Sequence, residues 1–189
     1  MVMESFNASQ NPEIILLGDS ILNNKNYVFV NESVEYYLKQ KYPIVKNLAK
    51  DGSKMDDLYD QIDHLKTIPL SKHSKVIISI GGNDLLENQN PHKLLEQYKE
   101  ILLHLLKTYP GLKIYIVNIY YPPCCRFKKY VNVITNWNNL LGSLNQLLNS
   151  NIKIIPISEV VTERNDFVFE IEPSPEGGQK IVDSIISYL

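Results

Sequence analysis

Two kinds of apolar run alternate along this chain, and that alternation restricts its fold more than any other feature. Short, almost unbroken apolar stretches occur at Glu13–Leu17, Ile44–Leu48, Val76–Ile80, Leu112–Ile119 and Ile152–Ile157. Runs of that length, bounded by glycine or proline, read as buried strands. Between them lie longer segments whose apolar residues recur every three or four positions, the signature of a helix with one buried face. They are Asn31–Tyr42 (Val34, Tyr37, Leu38, Tyr42), Met55–Leu65 (Leu58, Ile62, Leu65), Leu94–Tyr109 (Leu95, Tyr98, Leu102, Leu105), Val131–Leu148 and Glu176–Tyr188 (Ile181, Ile185, Tyr188). Gly18, Pro43, Gly81-Gly82 and Pro110-Gly111 stand where elements should stop.

Strands that alternate with helices pair in parallel through right-handed crossovers. Strands apolar on every residue must be covered on both faces. The expected architecture is therefore α/β, a three-layer α/β/α sandwich around a five-stranded parallel sheet of flavodoxin-like layout. A chain of 189 residues can bury one substantial core but is short for two. One domain is expected over 1–189, with 1–11 a loose N-terminal segment.

Charge and cysteine usage narrow the partners. Lys and Arg number 19 against 21 Asp and Glu, for a net charge of -2. Nucleic-acid binders usually gather a basic excess, so no nucleic-acid partner is expected. No apolar run approaches membrane-spanning length. Met1–Phe6 lacks a basic stretch leading into an apolar one. Cys124 and Cys125 are adjacent and form no spaced disulfide framework. A cytoplasmic protein is the expectation.

In open parallel sheets, sites form outside the carboxyl ends of the strands. The loops at those ends carry Gly18-Asp19-Ser20, Asp51-Gly52-Ser53 and Gly81-Gly82-Asn83-Asp84. Taken singly, each has an ordinary structural reading. Serine caps helices, glycine permits positive φ, and Asn and Asp form turns. Together on one edge they bring a hydroxyl, glycine amides and a carboxamide close to one another. Acyl transfer needs such a set: a serine oxygen to attack a carbonyl, and donors to hold the oxyanion that develops.

Gly18-Asp19-Ser20-Ile21 resembles the first sequence block of the SGNH, or GDSL, hydrolases. Gly52 looks like the glycine of their second block, and Gly81-Gly82-Asn83-Asp84 like their third. The blocks come in the family's order, each after a strand. The resemblance implies hydrolysis of a small-molecule ester through an acyl-serine, without metal or organic cofactor. Ser20 would be the nucleophile. The Ser20 and Gly52 amides and the Asn83 side chain would form the oxyanion hole, with Asp19 and Asp84 supporting the loops.

The family's last block, an Asp, two further residues and then a His before a Pro, is not kept. The turn reads Phe169-Glu170-Ile171-Glu172-Pro173-Ser174, with Glu172 in the histidine position. It resembles a branch of the family with Ile-Glu-Pro-Ser in that turn. Three readings follow. Glu172 is the base, its pKa raised by burial or by a neighbouring carboxylate such as Asp166, Glu170 or Asp19. Alternatively His92, the one histidine expected on the active edge, is recruited. In the third reading catalysis is weak or lost, and the cleft binds a small ligand such as a glycan or acyl group. Tyr120, Tyr121, Pro122, Cys124 and Cys125 follow the fourth strand and are candidates to line the pocket. Trp137 reads as core.

Overall fold

The computed structural model describes residues 13–71, 73–147 and 152–189. Five parallel strands, β1 (Ile14–Gly18), β2 (Val45–Asn47), β3 (Lys75–Ser79), β4 (Lys113–Val117) and β5 (Ile152–Ile155), lie in the order β2-β1-β3-β4-β5. That is the flavodoxin-like order. Leu17 pairs with Ile78 and Gly18 with Ser79, so the carboxyl ends of β1 and β3 are level. The helices are α1 (Val34–Lys39), α2 (Asp57–Leu65), α3 (Gly82–Leu86), α4 (Pro91–Thr108), α5 (Val131–Leu147) and α6 (Pro175–Tyr188).

Alternation along the strands divides the core in two. Ile15, Leu17, Val76, Ile78, Ile114 and Ile116 pack against Leu58 and Ile62 of α2, Leu102 and Leu105 of α4, and Trp137 and Leu141 of α5. Ile14, Leu16, Ile77, Tyr115 and Val117 face the other way, onto Val34 and Leu38 of α1 and Ile181, Val182 and Ile185 of α6. Burying an aliphatic side chain of this kind contributes about 1.5–3 kcal/mol, so both layers hold the sheet. No helix among the described residues is long and apolar enough to cross a membrane.

The differences from expectation have local causes. The helix expected over Asn31–Tyr42 begins only at Val34, because the Ser33 hydroxyl caps it by accepting the Tyr36 N–H at 3.2 Å. The helix expected from Met55 begins at Asp57, and the Met55 N–H goes instead to the Asp84 carboxylate at 3.1 Å. The fifth strand stops at Ile155, before Pro156. Residues 1–11 and Leu148, the expected end of α5, lie outside the described residues. Short elements with no clear sequence period appear as well: α3, a 3-10 turn at Cys125–Tyr130, and a small hairpin of β6 (Phe167–Val168) and β7 (Glu172–Pro173).

Candidate active site

The turn after β1 is built around a position only glycine can occupy. Gly18 has φ +118, and a Cβ there would sit 1.7 Å from the Ser79 carbonyl oxygen. The buried Gln61 side chain clamps the same residue, accepting the Gly18 N–H at 2.6 Å and donating to its carbonyl at 2.9 Å. Asp19 then folds the chain back on itself. Its Oδ1 accepts the Ile21 N–H at 3.1 Å, and its carbonyl accepts from Leu22 and Asn23. Ser20 stands at the bend, 9% exposed. It caps no helix, and its N–H donates to no group among the described residues. Burial pushes the Asp19 carboxyl up to about 8, against the pull of the Ile21 N–H, and the Glu172 and Asp84 carboxylates push it the same way.

Asn83 enters the site from the first turn of α3. Gly81 precedes it at φ +103, where a Cβ would press on the Trp137 ring at 2.9 Å. Asn83 Nδ2 donates to the Ser53 carbonyl at 2.9 Å. A carboxamide nitrogen carries two N–H groups, so one remains for the cavity that Asn83 lines. Asp84, buried and raised by that burial, ties this loop to the β2–α2 loop through Met55. Gly52 lies on the exposed turn of that second loop at φ +73. It does not line the cavity, and its N–H has no partner among the described residues.

Glu172 comes from the β6–β7 hairpin and reaches Ser20. Burial raises its carboxyl above the ordinary range, the adjacent Ser20 hydroxyl pulls it down, and the Asp51 carboxylate raises it further. Its Oε2 is buried with no hydrogen-bond partner among the described residues. Ser20, Asn83 and Glu172 share a cavity walled by Ile21, Leu85, Leu86, Ile119, Tyr120, Phe127 and Ile134. The cavity is small, about 50 Å³. It is a narrow, largely apolar slot whose polar lining comes from Asp19, Ser20, Asn83 and Glu172.

Not every candidate converges there. His92 lies exposed in the first turn of α4, where its backbone N–H donates to the Asn90 side chain at 2.9 Å. None of the four histidines lines the cavity. Asp166 is buried but turned to another task. It accepts the Thr162 and Glu163 N–H groups at 2.9 Å and pairs with Lys180 at 2.8 Å, fixing the turn that leads into α6. Cys124 and Cys125 are free thiols on a separate groove, with Cys124 donating to Glu170 at 3.3 Å. Three residues that matter here escaped sequence reasoning. Gln61 holds Gly18, Tyr27 hydrogen-bonds Asp51 beside Glu172, and Asn24 donates to the Pro173 carbonyl at 3.3 Å. Gln61 lies three residues after Leu58 and four before Leu65, so the helix period puts a polar residue on the buried face, and that is the signal that points to it.

Residues 16–177 match the GDSL-like Lipase/Acylhydrolase family, and the chain belongs to it. Solved structures share the fold at low identity. A member of the lipolytic protein G-D-S-L family from Veillonella parvula superposes with TM-score 0.77 at 16% identity, covering 92% of this chain and 96% of that one. A Clostridium thermocellum family 3 carbohydrate esterase gives 0.73 at 17%, covering 94% of each chain. The psychrotrophic esterase EstA from a Pseudoalteromonas species gives 0.70 at 16%, covering 92% and 94%. A comparison with curated proteins found no match.

Proposed function

We propose that this protein hydrolyses carboxylic esters through an acyl-serine, with Glu172 in the role a histidine usually fills. The observation that carries the proposal is the Ser20 hydroxyl and the half-buried Glu172 carboxylate on the wall of one largely apolar slot. Ser20 Oγ adds to the ester carbonyl while its proton passes to Glu172. The Ser20 N–H and Asn83 Nδ2 stabilise the oxyanion; Gly52, expected to join them, stands outside the cavity. Collapse expels the alcohol, which takes the proton from Glu172. Water then attacks the acyl-serine by the same route and releases the acid.

An unperturbed glutamate is too weak a base for serine at neutral pH. The burial that raises Glu172 moves it in the direction the chemistry needs. The slot also bears on substrate: a narrow apolar space suits an acyl chain better than a sugar ring, which needs polar partners along its length. The test is labelling by a fluorophosphonate together with turnover of p-nitrophenyl esters. Ser20→Ala should abolish both, and Glu172→Gln should lower kcat by 100-fold or more, within the range of about 10²–10⁴ for general-base catalysis. A folded wild-type protein that turns over no ester sinks the proposal, and tight ligand binding without turnover would favour a binding module instead.

A further inference from the structure

We infer that Tyr120 is the positioning residue for Glu172: its buried hydroxyl, not the hairpin itself, holds the base at Ser20. The inference rests on the reading of Glu172 as base.

The hairpin is poorly equipped to fix its own geometry. It has two paired positions, Phe167 with Pro173 and Val168 with Glu172, and Pro173 has no N–H to donate. Its tip places Phe169 at φ 47 and Glu170 at φ 72, a left-handed conformation that residues with a Cβ disfavour. Contacts from outside must therefore hold it. Two of them grip the carbonyls on either side of Glu172. Tyr120 donates its hydroxyl to the Ile171 carbonyl at 2.7 Å, and Asn24 donates to the Pro173 carbonyl at 3.3 Å. A third joins Glu170 to Arg126 at 2.7 Å, but both partners are largely exposed and screened by solvent.

Asn24, fully buried, is itself held by accepting the Val34 N–H at 2.9 Å, and Tyr120 is rooted in the carboxyl edge of the sheet. Tyr120 is 2% exposed, and its ring stands edge-on to Phe167 with centroids 5.0 Å apart. It follows directly on Ile119, whose N–H and carbonyl are both bonded to the Asn138 side chain, at 3.0 and 2.7 Å. Tyr120 thus carries the rigidity of the sheet edge to the residue before the base. A catalytic group displaced by about 1 Å loses on the order of 100-fold in rate. Freed from Tyr120, the Ile171–Glu172 segment gains water. Burial is the largest cause of the raised Glu172 carboxyl, so its pKa then moves down.

The experiment compares wild type, Tyr120→Phe and Phe167→Leu on p-nitrophenyl butyrate from pH 4 to 9, with thermal unfolding of each. Tyr120→Phe should lower kcat roughly 10- to 100-fold with KM changed less than about threefold. It should also move the acid limb of kcat/KM to lower pH. Phe167→Leu loosens the packing but keeps the hydroxyl, so it should lower Tm and leave the limb in place. The inference is overturned if folded Tyr120→Phe keeps its kcat and limb, if Phe167→Leu moves the limb equally, or if Tyr120→Phe does not fold. Absence of wild-type turnover overturns the parent reading as well. A wild type disabled by Glu172→Gln but indifferent to Tyr120→Phe overturns this inference alone.

Discussion

Asp19, immediately before the proposed nucleophile, should make the stability of this protein depend on pH. Its side chain is 2% exposed and receives the Ile21 N–H. Burial raises its carboxyl from 3.8 to about 8. Below 3.8 the folded and unfolded chains both carry the proton, and the contribution to stability is complete. Between the two values the unfolded chain is ionised while the folded chain is not. Folding then takes up a proton, and stability falls by about 1.4 kcal/mol per pH unit. Over the whole interval the loss is on the order of 6 kcal/mol. Asp19→Asn keeps an oxygen for the Ile21 N–H and removes the titration. Urea unfolding at pH 5, 6, 7, 8 and 9 should therefore show the variant gaining on wild type as pH rises, with the gap levelling off near pH 8. A gap that stays constant from pH 5 to 9 would refute the reasoning, because Asp19 would then be ionised in the fold like any surface carboxylate.

Three further outcomes are expected. Gln61→Leu strips the partner from the Gly18 N–H, while the Gly18 carbonyl keeps the Lys50 N–H at 2.9 Å; urea unfolding should show a loss of about 1–3 kcal/mol, the usual effect of one orphaned buried group, with an unchanged m-value. Asn83→Ala should lower kcat by about 100- to 1000-fold with little change in KM, and steady-state kinetics on a soluble ester would contradict the assigned role if kcat held. Ile134→Phe fills part of the slot, so the octanoate-to-acetate ratio of kcat/KM should collapse. Each methylene that loses its burial accounts for about a fourfold factor, from about 0.8 kcal/mol per CH₂; an unchanged ratio in a chain-length series would place the acyl group elsewhere.

The loops that carry Ser20 and Asn83, the proposed nucleophile and oxyanion donor, were legible in the sequence because their determinants are local. Gly18, Ser20 and Asn83 lie within a few residues of strands whose apolar runs are unmistakable, and Gly18 is dictated by the approach of the Ser79 carbonyl. The base's side is different. Glu172 could be placed by its spacing before Pro173-Ser174, but β6 and β7 have two residues each and no alternation to read. Nor does proximity along the chain say which way a carboxylate turns. Asp166, six residues before Glu172, faces Lys180 and the Thr162 and Glu163 amides instead. The groups that do fix the base's surroundings come from far away: Asn24 is 149 residues from Pro173, and Tyr120 is 51 from Ile171. The two halves of the site should therefore respond differently to mutation. Changes in the Gly18 turn strike the sheet edge itself and lower stability and activity together. Changes in the contacts that hold the hairpin leave both core layers intact, so their effects should fall on the rate and on its pH dependence.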